Sequence, residues 1–98
     1  MNWKPYAQFV RSLPCSNCGN DTGCDQHHEV GNKCRGVGLK SHDIRSCPLC
    51  RTCHTALHYV GPDEYERRYG FSQCAAILDT IEQAVLRGVL VLDKGKVQ

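Results

Sequence analysis

Two Cys-x-x-Cys pairs, at positions 15–18 and 50–53, stand out among the eight cysteines of this sequence. Each pair forms a short chelating turn, and two such turns supply four thiolates, the ligand set that tetrahedral zinc prefers in structural sites. Four unconnected buried cysteines are the alternative, but two independent pairs of this spacing seldom arise by chance in so short a chain. The pattern therefore predicts a structural zinc ion bound by Cys15, Cys18, Cys50 and Cys53.

Spacing alone does not decide which thiols bind the ion. Cys47 and Cys50 form a further Cys-x-x-Cys pair, and Cys24 and Cys34 have no assigned role. Cys74 falls on an apolar helical stripe, where a free cysteine usually behaves as a small hydrophobic residue, so we leave it out of the zinc site. Cys47, Cys24 and Cys34 thus remain open as further ligands.

The histidines form a second group with the spacing of metal ligands. His54 and His58 are four residues apart in a segment without a helix breaker, so both imidazoles lie on one helical face, close enough to share a metal ion. An exposed or capping pair is the usual explanation of this spacing, but His54 directly follows a predicted zinc ligand, and His27 and His28 lie upstream on a predicted strand. Because adjacent strand residues point to opposite sides, one of these two can bind the ion while the other acts as a base.

A strand, a loop, a second strand and a helix are needed to position these residues. We predict short strands at residues 26–30 and 44–47, the second ended by Pro48, and a helix from residue 51 up to Gly61. Pro62 suits the first turn of the next helix and Gly70 its C-terminal cap.

The last helix is the clearest element of the sequence. Ser72 is a good N-cap and Gly88 falls where a C-terminal glycine belongs. We expect residues 89–92 to form a short strand or an apolar strap over the core. Six residues form the apolar stripe that we expect to be buried: Cys74, Ile77, Leu78, Ile81, Ala84 and Val85.

The composition is that of a small protein without an export or membrane signal. A chain of 98 residues suits one domain with a small core. The N-terminus lacks a basic start and an apolar run, and no stretch approaches the roughly 20 apolar residues of a membrane span. We therefore expect a cytoplasmic protein with reduced thiols that does not bind membranes; a disulfide-rich secreted protein is the alternative.

Charge is unevenly distributed, although the net charge is only +2. Residues 30–60 contain five basic residues against one acidic residue, and residues 61–86 are mainly acidic. Ordinary solvated surface charge is one interpretation. The other is a set of contacts to nucleic-acid phosphates by Lys33, Arg35, Lys40, Arg45 and Arg51.

Three segments, HHE at 27–29, GVGLKSHD at 36–43 and PLCRTCHTALH at 48–58, together resemble an HNH (ββα-metal) nuclease. The likeness is strongest to small phage and prophage nucleases of the Ref (RecA-dependent nuclease) and YbcO kind, and covers roughly residues 13–70. It implies that three histidines bind the catalytic divalent ion, as in the colicin DNases, and that His28 is the general base. Those ligands are His27, His54 and His58.

Two further assignments follow from the resemblance. Asp43 takes the place of the asparagine that gives the HNH motif its name; an aspartate can accept hydrogen bonds but cannot donate as an amide does. The resemblance also favours Cys50 and Cys53 over Cys47 as zinc ligands, because the helix histidine of zinc-stabilised members directly follows the last thiol.

The resemblance implies a small α+β zinc-stabilised domain over residues 1–98, with a zinc knuckle and ββα-metal core at 13–60 and added C-terminal helices at 62–88. The function implied is metal-dependent hydrolysis of DNA phosphodiester bonds, with magnesium, manganese, nickel or zinc as the catalytic ion, in phage or prophage recombination or DNA processing. DNA is the expected partner, with a recombination protein as a further one, and the chain is expected to be a monomer or homodimer. The alternative is a non-catalytic zinc-binding module for DNA or protein, in which the histidines only pack or cap.

Overall fold

Within residues 2–31 and 42–91, the part of the chain that the computed structural model describes, four helices surround a two-stranded sheet. The elements follow in the order α1 (Lys4–Ser12), β1 (Cys24–His28), β2 (Ser46–Cys50), α2 (Arg51–Val60), α3 (Pro62–Tyr69) and α4 (Gln73–Leu86). The predicted order of two strands followed by three helices is confirmed, and the fold class is α+β. No helix in these residues is long and apolar enough to cross a membrane.

The two strands pair in antiparallel fashion, with Cys24 opposite Cys50 and His28 opposite Ser46. Both lie about two residues from their predicted positions, and the prediction that Pro48 ends β2 is wrong. The Pro48 carbonyl accepts a hydrogen bond from the Ser16 N–H at 2.9 Å, so this edge of the residue faces away from β1. A proline at such a position removes no hydrogen bond from the ladder, which is why β2 continues through it.

The boundaries of the three C-terminal helices follow the predicted signals. Helix α3 begins at Pro62 directly after Gly61, and Gly70 ends it in the left-handed conformation at φ 62°. Ser72 caps α4, its side-chain oxygen accepting a hydrogen bond from the Ala75 N–H at 3.1 Å. Gly88 has φ 76° just beyond the end of α4. These ends are set by single residues, so the sequence locates them well.

The buried face of α4 differs from the predicted apolar stripe. Gln73, Ile77, Thr80 and Ala84 are its buried residues, whereas Leu78 is 66% exposed. The prediction of burial is therefore wrong for Leu78. It is also wrong for Cys74 and Val85, both of which are exposed. Polar residues occupy the buried face because they find hydrogen-bond partners, as the Thr80 hydroxyl does with the Ala76 carbonyl at 2.8 Å.

Helix α1 has no counterpart among the predicted elements. Its buried residues, Tyr6 and Val10, pack with Ala84 of α4 in a small apolar cluster. Val89 and Leu90 cover the same cluster without forming a strand, so residues 89–91 are an apolar strap. The larger core cluster lies between the sheet and helices α2, α3 and α4.

Gly31, just beyond β1, provides a test of the close approach between this segment and Pro62 at the start of α3. Its φ is +64°, and a Cβ added there would lie 2.6 Å from Cγ of Pro62. We predict that Gly31→Ala lowers the free energy of unfolding by about 2–4 kcal/mol, because left-handed backbone strain adds to the overlap. Gly70→Ala is the matched control, since φ is +62° there and the added methyl meets no atom within 4 Å. Equal losses for both variants in urea unfolding would contradict the contact with Pro62.

Candidate metal centres

Four cysteines meet where the N-terminal turn, the sheet and α2 come together. Cys15 and Cys18 lie on the turn after α1, Cys50 is the last residue of β2, and Cys53 lies in the first turn of α2. One ligand atom from each lies within 4.8 Å of the others. The turn is closed by a hydrogen bond from the Gly19 N–H to the Cys15 carbonyl at 2.9 Å. This group of four thiols could hold a metal ion such as zinc.

The surroundings of the cysteine cluster favour thiolate formation at one position in particular. Burial opposes ionisation of Cys15, but backbone N–H groups of Cys18, Cys50 and Asn17 outweigh it and lower the Cys15 pKa to about 7. Burial raises the Cys53 pKa to about 12, while the Asn17 amide donates to its sulfur at 3.6 Å. The cluster thus offers one easily ionised thiol, and a bound cation would deprotonate the others.

The other cysteines of the described residues lie outside this group. Cys47 is fully buried, and burial raises its pKa to about 12. The Cys24 thiol points to the Asn20 carbonyl at 3.6 Å. Cys74 is exposed, with its sulfur 3.8 Å from a Glu29 carboxylate oxygen, rather than a buried hydrophobic residue as expected. Cys34 lies outside the described residues.

The three predicted histidine ligands form a second cluster beside the first. His27 comes from β1, whereas His54 and His58 lie one turn apart on α2. Their ring centroids are separated by 5.0 Å (His27–His54), 5.7 Å (His27–His58) and 4.8 Å (His54–His58). One ring nitrogen from each lies within 4.8 Å of the others, so the group could hold a metal ion.

His27 is buried with one of its two ring nitrogens unpartnered. Nε2 is 2.8 Å from the Gln73 side-chain oxygen, and Nδ1 has no hydrogen-bond partner among the described residues. Burial lowers the His27 pKa to about 4, so the imidazole is neutral at physiological pH. A neutral, buried imidazole with a vacant nitrogen is the form that binds a metal ion.

His54 and His58 turn ring nitrogens towards each other at the mouth of a cleft. Nδ1 of His54 is 3.0 Å from an Asp25 carboxylate oxygen, and Nε2 of His54 is 3.1 Å from Nε2 of His58. The hydrogen bond from His54, and then Arg51, hold the Asp25 pKa below its usual range. The cleft has a volume of about 490 Å³ and is lined by Asp25, Arg51, His54, Thr55 and His58.

His28 lies outside the three-histidine cluster and contacts Asp43. Its Nε2 is 2.9 Å from a carboxylate oxygen of Asp43, which lies in the turn before β2. The His28 side chain is 25% exposed. The two residues assigned to catalysis from the sequence are therefore in direct contact, in a position that solvent reaches.

The predicted phosphate contacts have different surroundings. Arg45 is 2.6 Å from a carboxylate oxygen of Glu29, whose side chain is fully buried, so this arginine compensates a buried charge. Arg51 pairs with Asp25 at 3.0 Å, but 83% of its side chain is exposed. Lys33, Arg35 and Lys40 lie outside the described residues.

Several residues around the two clusters were absent from the predicted sites. Asp25 lies two residues before His27 on a strand, hence on the same face, and that spacing could have indicated it. Gln73 gave no signal in the sequence, because its partner lies 46 residues away. Asn17 and Tyr65, which bond each other at 2.7 Å beside Cys53, are likewise tertiary contacts.

Comparison with known proteins places this chain in a family. The family model described as "Protein of unknown function (DUF968)" matches residues 1–88. The chain is 39% identical over 85 residues to the uncharacterized protein YdfU of Escherichia coli (strain K12), covering 87% of this chain and 24% of that protein. The chain thus spans about a quarter of the length of this curated relative. No solved structure matches this chain.

The cysteine cluster predicts a metal-dependent fold. We expect one zinc ion per purified chain, and we expect Cys50→Ser to lose it and unfold the N-terminal half. Structural zinc contributes on the order of 10 kcal/mol of coupled folding energy, more than a small core holds in reserve. Elemental analysis and circular dichroism before and after chelation measure both effects. Cys74→Ser, outside the cluster, should retain the ion and the fold; a folded parent without zinc and with oxidised cysteines would contradict the prediction.

Proposed function

The chain belongs to the DUF968 family, and we propose that its activity is metal-dependent hydrolysis of DNA phosphodiester bonds by an HNH-type endonuclease site. One observation carries the proposal: His27, whose buried Nδ1 has no partner among the described residues, lies in a cluster with His54 and His58, and the adjacent His28 contacts a carboxylate. This combination supplies a site for a divalent ion and a separate base.

A divalent ion fits the three-histidine cluster. Its residues offer Nδ1 of His27, Nε2 of His54 and Nε2 of His58, because the other nitrogens of His27 and His54 already contact Gln73 and Asp25. A cation would also satisfy the buried nitrogen of His27 and would take the place of the hydrogen bond between His54 and His58. Imidazole ligands suit zinc or nickel, and water molecules would complete the shell of magnesium or manganese.

In the proposed reaction, the ion and His28 have separate roles. The bound ion would supply charge neutralisation at a non-bridging phosphate oxygen and at the leaving 3′ oxygen. Asp43 accepts the hydrogen on Nε2 of His28, which leaves Nδ1 to take a proton from the attacking water. As the water oxygen bonds to phosphorus, the bond to the 3′ oxygen breaks, solvent protonates that oxygen, and a 5′ phosphate remains.

Binding of the substrate would rest on Arg51, which lines the cleft, and on other basic residues of the sequence. Arg51 is exposed at the rim of the cleft, and Lys33, Arg35 and Lys40 belong to the same basic stretch of sequence. These side chains would contact phosphates without reading bases, so DNA of any sequence is the proposed partner, with a recombination protein as a further one. We assign Arg45 instead to Glu29, because a buried carboxylate needs its partner.

We also propose that the ion in the cysteine cluster is structural zinc. Four thiolates leave no ligand position for water or substrate, as in closed zinc sites. Cys53 and His54 are consecutive residues of α2, so an ion in the first cluster fixes the helix that carries two ligands of the second. In this proposal, the first ion maintains the fold and the second serves catalysis.

The assignment of His28 as general base predicts a specific loss. His28→Ala should reduce plasmid nicking by about 100- to 10,000-fold, because general-base catalysis is removed while every metal ligand remains. The measurement is nicking at matched concentrations of folded protein, with titrated magnesium, manganese, nickel and zinc. Zinc content and DNA binding should stay at the level of the parent.

His42→Asn is the matched control for this experiment. His42 lies outside the cluster, and an asparagine oxygen can replace its Nδ1 as acceptor of the Ile44 N–H. His54→Ala should instead lower affinity for the added ion together with cleavage. The nuclease proposal fails if His28→Ala cuts like the parent, or if the parent cuts with none of the four ions; the second result would favour the non-catalytic zinc-binding module.

The contact between Asp43 and His28 predicts that two substitutions of Asp43 lower the cleavage rate to different extents. Asp43→Asn retains an oxygen that can accept the Nε2 hydrogen of His28, so cleavage should stay within about tenfold of the parent. Asp43→Leu removes the acceptor and should lower cleavage by a further factor of about 10. Single-turnover nicking rates measure both. Equal rates for Asp43→Leu and the parent would show that the carboxylate does not orient the base.

A further inference from the structure

We infer that Gln73 is a positioning residue, which holds His27 in the tautomer that presents a bare Nδ1 to the divalent ion. Gln73 is the first residue of α4 and is buried, whereas His27 lies on β1. The inference rests on the metal site of the proposed function and names a residue on which that site depends.

The orientation of the Gln73 amide is set by the backbone of Val30. The Val30 N–H donates to Oε1 of Gln73 at 3.1 Å, and Nε2 of Gln73 donates to the Val30 carbonyl at 3.0 Å. A flipped amide would place its NH₂ group against the Val30 N–H and its oxygen against the Val30 carbonyl, so both hydrogen bonds would be lost. The side-chain oxygen of Gln73 is therefore fixed in place.

This oxygen determines which nitrogen of His27 carries hydrogen. Oε1 of Gln73 lies 2.8 Å from Nε2 of His27, and a carbonyl oxygen only accepts hydrogen bonds, so Nε2 must donate. A neutral imidazole has one N–H, which leaves Nδ1 without hydrogen. A second hydrogen on Nδ1 would be a buried donor without a partner among the described residues.

The position of Gln73 is in turn held from α3. Its backbone N–H donates to a carboxylate oxygen of Glu66 at 2.9 Å, in addition to its two side-chain bonds to Val30. Asp25 makes the corresponding contact with Nδ1 of His54, but from the same strand as His27. The C-terminal helices are thus joined to the histidine cluster through one amide.

Two substitutions separate positioning from a merely structural role. Gln73→Met removes the acceptor of His27 and both bonds to Val30, and should weaken binding of added Ni²⁺ by about 10- to 100-fold, the usual effect of losing a partner of a metal ligand. Gln73→Glu retains an acceptor oxygen but loses the donor to Val30. If Gln73 positions His27, Gln73→Glu should keep Ni²⁺ affinity within about threefold of the parent.

Titration calorimetry with Ni²⁺, on protein that retains its cysteine-bound metal, measures these affinities. Gln83→Met is the matched control, because Gln83 lies on the same helix and, within the described part of the chain, its side chain bonds Asp79 and Arg87 but no histidine. Equal losses in Gln73→Met and Gln73→Glu would assign the residue a structural role and overturn the inference. Unchanged affinity in Gln73→Met would overturn it as well.

Nitrogen NMR of the imidazole rings gives a readout independent of cleavage. In the parent without added Ni²⁺, His27 should carry hydrogen on Nε2 and none on Nδ1, and Gln73→Met should lose this preference. Hydrogen on Nδ1 in the parent overturns the inference even if Gln73→Met does not fold. If His54→Ala binds Ni²⁺ as the parent does, the metal site itself fails; if only the Gln73 variants match the parent, the proposed nuclease stands without this residue.

Discussion

The close approach of four thiols at the start of α2 is the constraint on which the rest of the structure depends. Cys50 ends β2 and Cys53 lies in the first turn of α2, so the junction between sheet and helix is part of the cysteine cluster. His54 and His58 follow on the same helix, and the pairing of β2 with β1 brings His27 opposite Cys47. Because helix and strand leave the cluster in fixed directions, the three imidazoles meet beside it.

A layer of polar side chains gives each cluster its chemical character. Asp25 and Gln73 each occupy one nitrogen of a histidine, which leaves the other nitrogen facing the cluster. Asn17 links the sulfur of Cys53 to the hydroxyl of Tyr65 on α3. Such partners fix the ring orientation and ligand basicity that metal binding requires, and here they come from separate elements of the fold.

Charged side chains in this protein contribute to packing as well as to the surface. Arg45 belongs to a basic stretch of sequence, yet its guanidinium neutralises the fully buried carboxylate of Glu29. Removing one partner of a buried pair leaves an uncompensated charge, a much larger penalty than losing a surface contact. A count of basic residues therefore overstates the uncompensated positive charge at the surface. The fully buried carboxylate beside Arg45 distinguishes it from Arg51, whose side chain is 83% exposed.

The sequence by itself determined the features that depend on neighbours along the chain. The Cys-x-x-Cys spacing, the histidines four residues apart on α2 and the helix ends at Gly70 and Ser72 are local, because backbone geometry and single-residue capping decide them. Tertiary structure alone decided that β2 continues through Pro48. The edge of Pro48 that lacks an N–H faces away from β1, so no hydrogen bond of the sheet is lost.

Tertiary structure also decided the buried face of α4 and the role of Gln73. Hydrophobicity favours Leu78 over Gln73 as a core residue, yet Gln73 is buried and Leu78 exposed. The amide can be buried because Val30 and His27, more than 40 residues earlier, satisfy its hydrogen bonds. Partners so distant in the chain leave no periodic signal in the sequence, since only folding brings them within hydrogen-bond distance.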